Sequence, residues 1–214
     1  MILIFLVLSP FIIITSLSIL IPILFWIYRV RDIENIYHVF AFCLITGFLN
    51  EILHFFFRTT YTSILITSIY HFIESQCYLY IFLSWVVLDK NFKKLLHLLF
   101  FIIVSIEFIY ILNTGNYNIF WIYVLPVIIL VILGIKILNS ENHKRTLSQK
   151  LILIPLIVYF IYYSILDILM AILFNKQTQP LFINLYYIIN VINILSYISY
   201  SFAFLWAPKK EKYL

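Results

Sequence analysis

Charged residues are scarce in this chain of 214 residues: they make up 11% of it, whereas an average soluble domain contains roughly 25%. Hydrophobic residues make up 64%. A core formed by a chain of this length cannot bury so much apolar surface, so lipid must replace water as the solvent around it. The composition therefore excludes a water-soluble enzyme, an intrinsically disordered chain and a nucleic-acid binder.

Cysteine and glycine are also rare, with two and three residues respectively. Both cysteines, Cys43 and Cys77, lie inside apolar runs, which excludes a disulfide scaffold and favours small core residues. No glycine-rich loop is present that could cradle a phosphate group. The last apolar stretch contains no lysine, so a retinal protein with a Schiff base in that helix is excluded as well.

Long apolar runs dominate what remains, and each is long enough to cross a bilayer core, which needs about 20 residues. The runs are separated by short clusters of charged and turn-forming residues. They cover residues 2–28, 37–57, 63–88, 95–112, 118–138, 151–174 and 181–206. We therefore expect an all-α polytopic membrane protein with seven transmembrane helices, in which residues 1–214 form a single transmembrane domain.

The positions of Lys and Arg predict the orientation of these helices. Twelve of the fourteen basic residues fall on one side of the expected membrane, and only Arg58 and Lys176 fall on the other. Because cytoplasmic connections carry the excess of Lys and Arg, the N-terminus is expected outside and the C-terminus inside. We expect the chain to reside as a multi-pass protein in the bacterial cytoplasmic membrane, in contact with membrane lipid.

An internal repeat is suggested by a shift of 116 residues, which superposes Pro10 on Pro126 and Glu51 on Asp167. The shift relates residues 1–90 to residues 117–206 and leaves the helix at 95–112 as a linker. This 3+1+3 layout resembles the triple-helix-bundle carriers of the sugar-transporter and PQ-loop group. Their Pro-Gln signature is missing, because Phe11 and Val127 follow the two prolines, so no residue role is carried over.

Ionisable and amide side chains occur inside the apolar runs, where they are costly and by default face the bundle interior or a wet cavity. They follow helical spacing, so on several helices they form a stripe along one face. The candidate ligand- or proton-binding residues are Glu51, His54, Arg58, His71, Glu74, Glu107, Asp167, Asn190 and Asn193.

The depths of these residues predict where a site would open. Glu51 and His71 each lie ten residues from Tyr61, so a hairpin would place them at the same height as partners. The other candidates fall in the outer half of the bundle or near its midplane. We therefore expect an outward-facing polar pocket that accepts a small ligand, a cation or a proton.

A metal-binding site is a more specific alternative for the same residues. Glu51 and His54 are spaced three apart, as are His71 and Glu74, and carboxylate–histidine pairs of this kind hold metals in helical bundles. The second pair is reversed, however, so Glu74 would lie about two turns deeper than His54. We therefore predict no metal and no other cofactor.

The segment from Tyr70 to Glu74, together with a polar last helix that ends near Lys209 and Lys210, resembles small seven-helix integral membrane proteins of bacteria. That resemblance implies no particular activity. The leading interpretation is a non-enzymatic module that senses a ligand or proton and contacts a cytoplasmic protein partner. The alternatives are a small-solute or proton-coupled transporter and a metal-dependent intramembrane hydrolase.

Overall fold

The fold is taken from a computed structural model of the chain. It describes residues 13–57, 61–114, 120–140, 146–173 and 179–210. Within helices, the side chains of some residues, including His54 and Asp167, lie outside this description.

The described residues form helices joined by short connections, and they contain no β-strand apart from one isolated bridge. The all-α fold class is confirmed. The helices are α1 (Leu20–Arg29), α2 (Asn35–Phe57), α3 (Tyr61–Trp85), α4 (Lys90–Thr114), α5 (Phe120–Leu138), α6 (Leu147–Leu173) and α7 (Gln179–Leu205). A further helical stretch at residues 13–18 leads into α1 through a turn at Ile19.

Four of the described helices contain segments long and apolar enough to cross a membrane. These segments are Asn35–Leu53, Lys90–Thr114, Leu147–Leu166 and Tyr187–Leu205, and two shorter apolar helices cover Ile13–Arg29 and Val124–Leu138. By length and composition the chain is therefore a membrane protein.

Helix α4 shows the membrane character most directly, because its outer face is more apolar than its inner one. The buried residues follow one helical stripe, and this stripe contains a carboxylic acid, Glu107, which is 7% exposed. The exposed face is instead aliphatic, with Leu95, Leu98, Ile102 and Ile106 each about half exposed. Such a helix is stable only where lipid contacts the aliphatic face.

The chain divides into two compact units. Unit 1 combines the two ends of the chain, residues 1–34 and 146–214, and in it α7 packs against both α1 and α6. Unit 2 is the continuous segment 35–145, in which α3 packs against α2, α4 and α5, and α4 also packs against α5. The proposed 3+1+3 repeat is not tested by this division and stays a prediction.

Unit 1 is closed by polar contacts between the end of α1 and the end of α7. The guanidinium group of Arg29 donates hydrogen bonds to the backbone carbonyls of Leu205 and Ala207. Next to them, the Lys210 amide donates to the Asp32 carbonyl at 2.7 Å. The last carbonyls of a helix have no partner inside the helix, so Arg29 both satisfies them and places a positive charge at the negative end of the helix dipole.

Two helices begin earlier than the apolar runs predicted, because polar caps extend them. The carboxylate of Asp89 accepts hydrogen bonds from the backbone amides of Asn91 and Phe92, which starts α4 at Lys90 rather than at residue 95. At the start of α6, the Gln149 side-chain carbonyl accepts a hydrogen bond from the Thr146 backbone amide. The Thr146 hydroxyl accepts one from the Gln149 backbone amide, and the pair resembles a capping box. Apolar content marks only the membrane-embedded part of a helix and misses the capped turn before it.

A proline inside α6 is compensated by the neighbouring helix. Pro155 has no amide hydrogen, so the carbonyl of Leu151, four residues earlier, loses its helical partner. The hydroxyl of Ser199 on α7 donates a hydrogen bond to this carbonyl at 2.7 Å. The contact removes an unsatisfied carbonyl from the apolar interior and fixes the register of α6 against α7.

Candidate functional site

The most polar turn of unit 2 is the middle of α3. Tyr70, His71, Glu74, Cys77 and Tyr78 are spaced three or four residues apart from Glu74, so their side chains share one side of the helix. The spacing of His71 and Glu74 predicted that they share a face, and the structure brings them together with Tyr78.

The carboxylate of Glu74 is held by three neighbours. The hydroxyls of Tyr70 and Tyr78 both donate to its Oε1 atom, at 2.5 and 3.0 Å. Its Oε2 atom lies 3.6 Å from Nδ1 of His71. The side chains of Glu74 and His71 retain 18% and 31% of their exposure, so the pair is half-buried and within reach of a small ion or a water molecule.

A second acid, Glu107, lies on α4 in the stripe that packs into unit 2. It is close enough to His71 for the two to interact electrostatically. Counted from the α3–α4 junction, Glu74, His71 and Glu107 lie 11, 14 and 17 residues into their helices. At about 1.5 Å per residue, His71 is therefore level with a point midway between the two carboxyl groups.

Two thiols lie near this turn, one on α2 and one on α3. Cys43 of α2 and Cys77 of α3 are close enough to interact electrostatically with each other and with Glu74. Both cysteines are unpaired by any disulfide. The sequence predicted two small core residues, and nothing in their spacing from the acidic residues indicated that they meet.

The other predicted site residues do not all fall in one place. Glu51 is exposed on α2, and its expected pairing with His71 stays a prediction. Asn190 and Asn193 are half-buried on α7, in unit 1. The side chains of His54 and Asp167, and the whole of Arg58, lie outside the described residues.

Metal ligands do not converge in the described part of the chain. No group of three or more His, Cys, Asp or Glu side chains there has the geometry to hold a metal ion. Because the side chain of His54 lies outside that part, the four-residue cage of Glu51, His54, His71 and Glu74 was not tested as a whole.

Two amide side chains in unit 2 were missed by sequence reasoning. The Oδ1 atom of Asn50 and both amide atoms of Gln76 are buried and find no hydrogen-bond partner among the described residues. Gln76 lies two residues beyond Glu74 and so points away from the Glu74 side of α3. Such an amide in an apolar bundle costs free energy unless water or a ligand reaches it.

Unit 1 contains a different feature, a tyrosine cluster between α6 and α7. Tyr159 and Tyr163 stack with ring centroids 5.7 Å apart, and the Tyr162 hydroxyl donates to the Leu185 carbonyl at 3.0 Å. These rings surround the buried pair Leu166 and Ile189, so this cluster packs the two helices together.

Comparisons of the chain with protein-family models, with characterised proteins and with solved structures gave no match.

Proposed function

We propose that this chain is a non-enzymatic sensor in the bacterial cytoplasmic membrane, and that it binds a proton or a small cation at Glu74. The observation that carries this proposal is the half-buried Glu74 carboxylate, which is positioned by two tyrosine hydroxyls and a histidine. An ionisable group inside a membrane helix is by default a functional site, because its free-energy cost must be offset by a role.

The charge balance around Glu74 favours a cation over an anion. The groups that face it are the two tyrosines, His71 and Cys77 on its own helix, Cys43 on α2, and Glu107 on α4 by way of His71. On α5 the only ionisable side chain in the described part is Lys136, near the opposite end of that helix. Within the described residues, neither carboxyl group has a Lys or Arg partner. A proton on one of these groups, or a bound cation, therefore balances the charge.

The alternation of Glu74, His71 and Glu107 along the bundle axis suits a proton-responsive centre. Histidine can exchange a proton with either neighbouring carboxyl group, and chains of Asp, Glu and His serve this purpose in membrane proteins. A change in proton occupancy would alter the electrostatic interaction between α3 and α4 and so their packing. A cytoplasmic partner would respond to that change in packing. The orientation with the N-terminus outside is part of the same proposal, supported by the distribution of Lys and Arg.

The proposal is tested by the pH dependence of unfolding. The purified chain in lipid nanodiscs is unfolded thermally across a pH series, and the same series is run for Glu74→Gln, Glu107→Gln and Glu34→Gln. The wild-type midpoint should change with pH, because a proton site built by the folded chain binds a different number of protons from the same groups in the unfolded chain. Glu74→Gln and Glu107→Gln should flatten this profile.

Glu34→Gln is the matched control, because Glu34 is exposed and precedes α2. It removes one carboxyl group by the same chemical change and should leave the profile unaltered. The slope of the profile, rather than the midpoint at one pH, is the readout, because simple loss of packing would shift all midpoints together. A Glu74→Gln profile parallel to that of the wild type would refute the proposal.

A further inference from the structure

A depression at the α3–α4 corner has no part in the Glu74 centre. It has a volume of about 400 Å³ and is lined by Leu83, Lys93, Lys94, His97, Leu98 and Phe101. Five of these residues come from the first three turns of α4, and Leu83 comes from the last turn of α3. It lies at the end of both helices, where a membrane-spanning pair meets the headgroup region.

The polar side chains that line this depression are all basic. Lys93 and Lys94 bring two ammonium groups and His97 brings a ring nitrogen one turn further along the helix. No acidic side chain lines the depression, and in the described part of the chain neither lysine forms an ion pair. The nearby Asp89 carboxylate is engaged by the Asn91 and Phe92 amides at the start of α4.

One of the two lysines is held in place by the fold. The Nζ atom of Lys93 donates a hydrogen bond to the Leu83 carbonyl at 2.6 Å, which ties the start of α4 to the end of α3. An ammonium group has three donors, so two remain available to an anion. Lys93 is half-buried, whereas Lys94 is exposed at the rim.

Most of the lining surface is apolar, and it extends deeper along α4. Leu98 follows Lys94 by one turn and Phe101 follows His97 by one turn, so the lining passes from cationic to apolar over about 12 Å. The ring of Phe101 is braced by an edge-to-face contact with Phe72 of α3, with centroids 5.8 Å apart. Leu98 remains 56% exposed.

We propose that this depression, which we call the corner site, binds an anionic phospholipid. The lipid phosphate would be bound by Lys93, Lys94 and His97, and the upper part of an acyl chain would lie along Leu98 and Phe101. Charge complementarity selects an anionic headgroup over a zwitterionic one, because the ammonium group of a zwitterionic lipid would face two lysines. The apolar lining favours binding of a lipid over free phosphate, because inorganic phosphate would leave the apolar surface uncovered.

The test measures lipid binding to the purified full chain by native mass spectrometry and by thermal unfolding in detergent. The probes are dioleoyl phosphatidylglycerol, dioleoyl phosphatidylcholine and inorganic phosphate. Phosphatidylglycerol should bind and raise the unfolding midpoint more than phosphatidylcholine does. The double variant K93Q/K94Q should weaken phosphatidylglycerol binding roughly tenfold or more, since each lysine near an anionic surface contributes substantially.

The matched control is K209Q/K210Q, which removes two adjacent exposed lysines outside the corner site and should change binding little. Leu98→Ser should weaken phosphatidylglycerol binding without altering any effect of inorganic phosphate. Each variant must keep the wild-type midpoint in phosphatidylcholine, which separates loss of binding from loss of fold. If K93Q/K94Q fails that condition, K94Q alone replaces it, because the hydrogen bond to the Leu83 carbonyl comes from Lys93.

Three results would overturn the proposal. The first is equal binding of the two phospholipids, and the second is a K209Q/K210Q loss as large as that of K93Q/K94Q. The third is full displacement of phosphatidylglycerol by inorganic phosphate together with no effect of Leu98→Ser, which would make the corner site a phosphate site only.

Discussion

Several side chains in this protein donate hydrogen bonds to groups that have no backbone or solvent partner. Ser199 donates to the carbonyl that lacks a partner because of Pro155. Tyr70 and Tyr78 donate to the carboxylate of Glu74. In water each of these groups would find a solvent partner, but in lipid an unmet partner costs free energy. These contacts therefore matter more here than the same contacts would on a soluble surface.

Ser199→Ala should lower the free energy of unfolding by about 1 kcal/mol, because it leaves the Leu151 carbonyl without a partner. The matched control is Ser201→Ala. The Ser201 hydroxyl also donates at 2.7 Å, but to the Tyr197 carbonyl of its own helix, which already accepts a backbone amide. Unfolding in mixed micelles measures both variants, and equal losses would show that α6 does not depend on the bond from α7.

Part of the candidate site could be predicted from the spacing of residues in the sequence. The three-residue spacing of His71 and Glu74 predicted one shared face, because helix geometry alone fixes that relation. The electrostatic interaction of His71 with Glu107 and the proximity of Cys43 to Cys77 could not be predicted from the sequence. They depend on the rotation and register of separate helices, which spacing within one helix does not determine.

At the element scale, α3 is the central helix of unit 2, because it packs against α2, α4 and α5. Its composition reflects this position. It is not among the four helices with a strongly apolar spanning segment, and it places His71, Glu74 and Gln76 in its middle. Neighbouring helices shield it from lipid on several sides, so it tolerates polar side chains that a lipid-facing helix such as α4 confines to its buried stripe.

The pairing of α2 with α3 can be checked through the two thiols. Treating the folded protein with diamide should join Cys43 to Cys77, since the two thiols are close enough to interact electrostatically. In that step the two thiols lose two protons and two electrons, and diamide is reduced to the hydrazine. Maleimide labelling after denaturation should then find no free thiol in the wild-type monomer.

Cys43→Ser and Cys77→Ser are the controls, because each should retain one labelled thiol after the same treatment. Reduction with a phosphine should restore both thiols of the wild type. Two labelled thiols in oxidised wild-type protein would contradict the α2–α3 register described above.

The positions of the helices in the chain were largely predictable, because runs of apolar residues mark the membrane-embedded length. All the described helices fall within or next to an expected span. The early starts of α4 and α6 were missed, since Asp89, Thr146 and Gln149 extend these helices by polar caps beyond the apolar runs. The division into two units could not be read from the sequence, because it depends on which helices pack together and not on where they lie in the chain.

At the scale of the whole molecule, the proposed orientation predicts the location of fused reporters. Alkaline phosphatase, which is active only outside the cytoplasm, should be inactive when fused after Lys210. It should be active when fused after Asn175, which lies on the side that receives only Arg58 and Lys176. A fluorescent protein that matures only in the cytoplasm should give the opposite pattern, and the reverse result at both positions would invert the orientation.

The arrangement of unit 1 has a consequence for biosynthesis. Arg29 bonds Leu205, 176 residues further along the chain, whereas unit 2 is one uninterrupted segment. During translation the four helices of unit 2 can settle against one another while the ribosome is still extending the chain. The first helix, in contrast, lacks its main packing partner until α7 has been synthesised, so a truncated nascent chain would leave α1 unpacked while the helices of unit 2 could still associate.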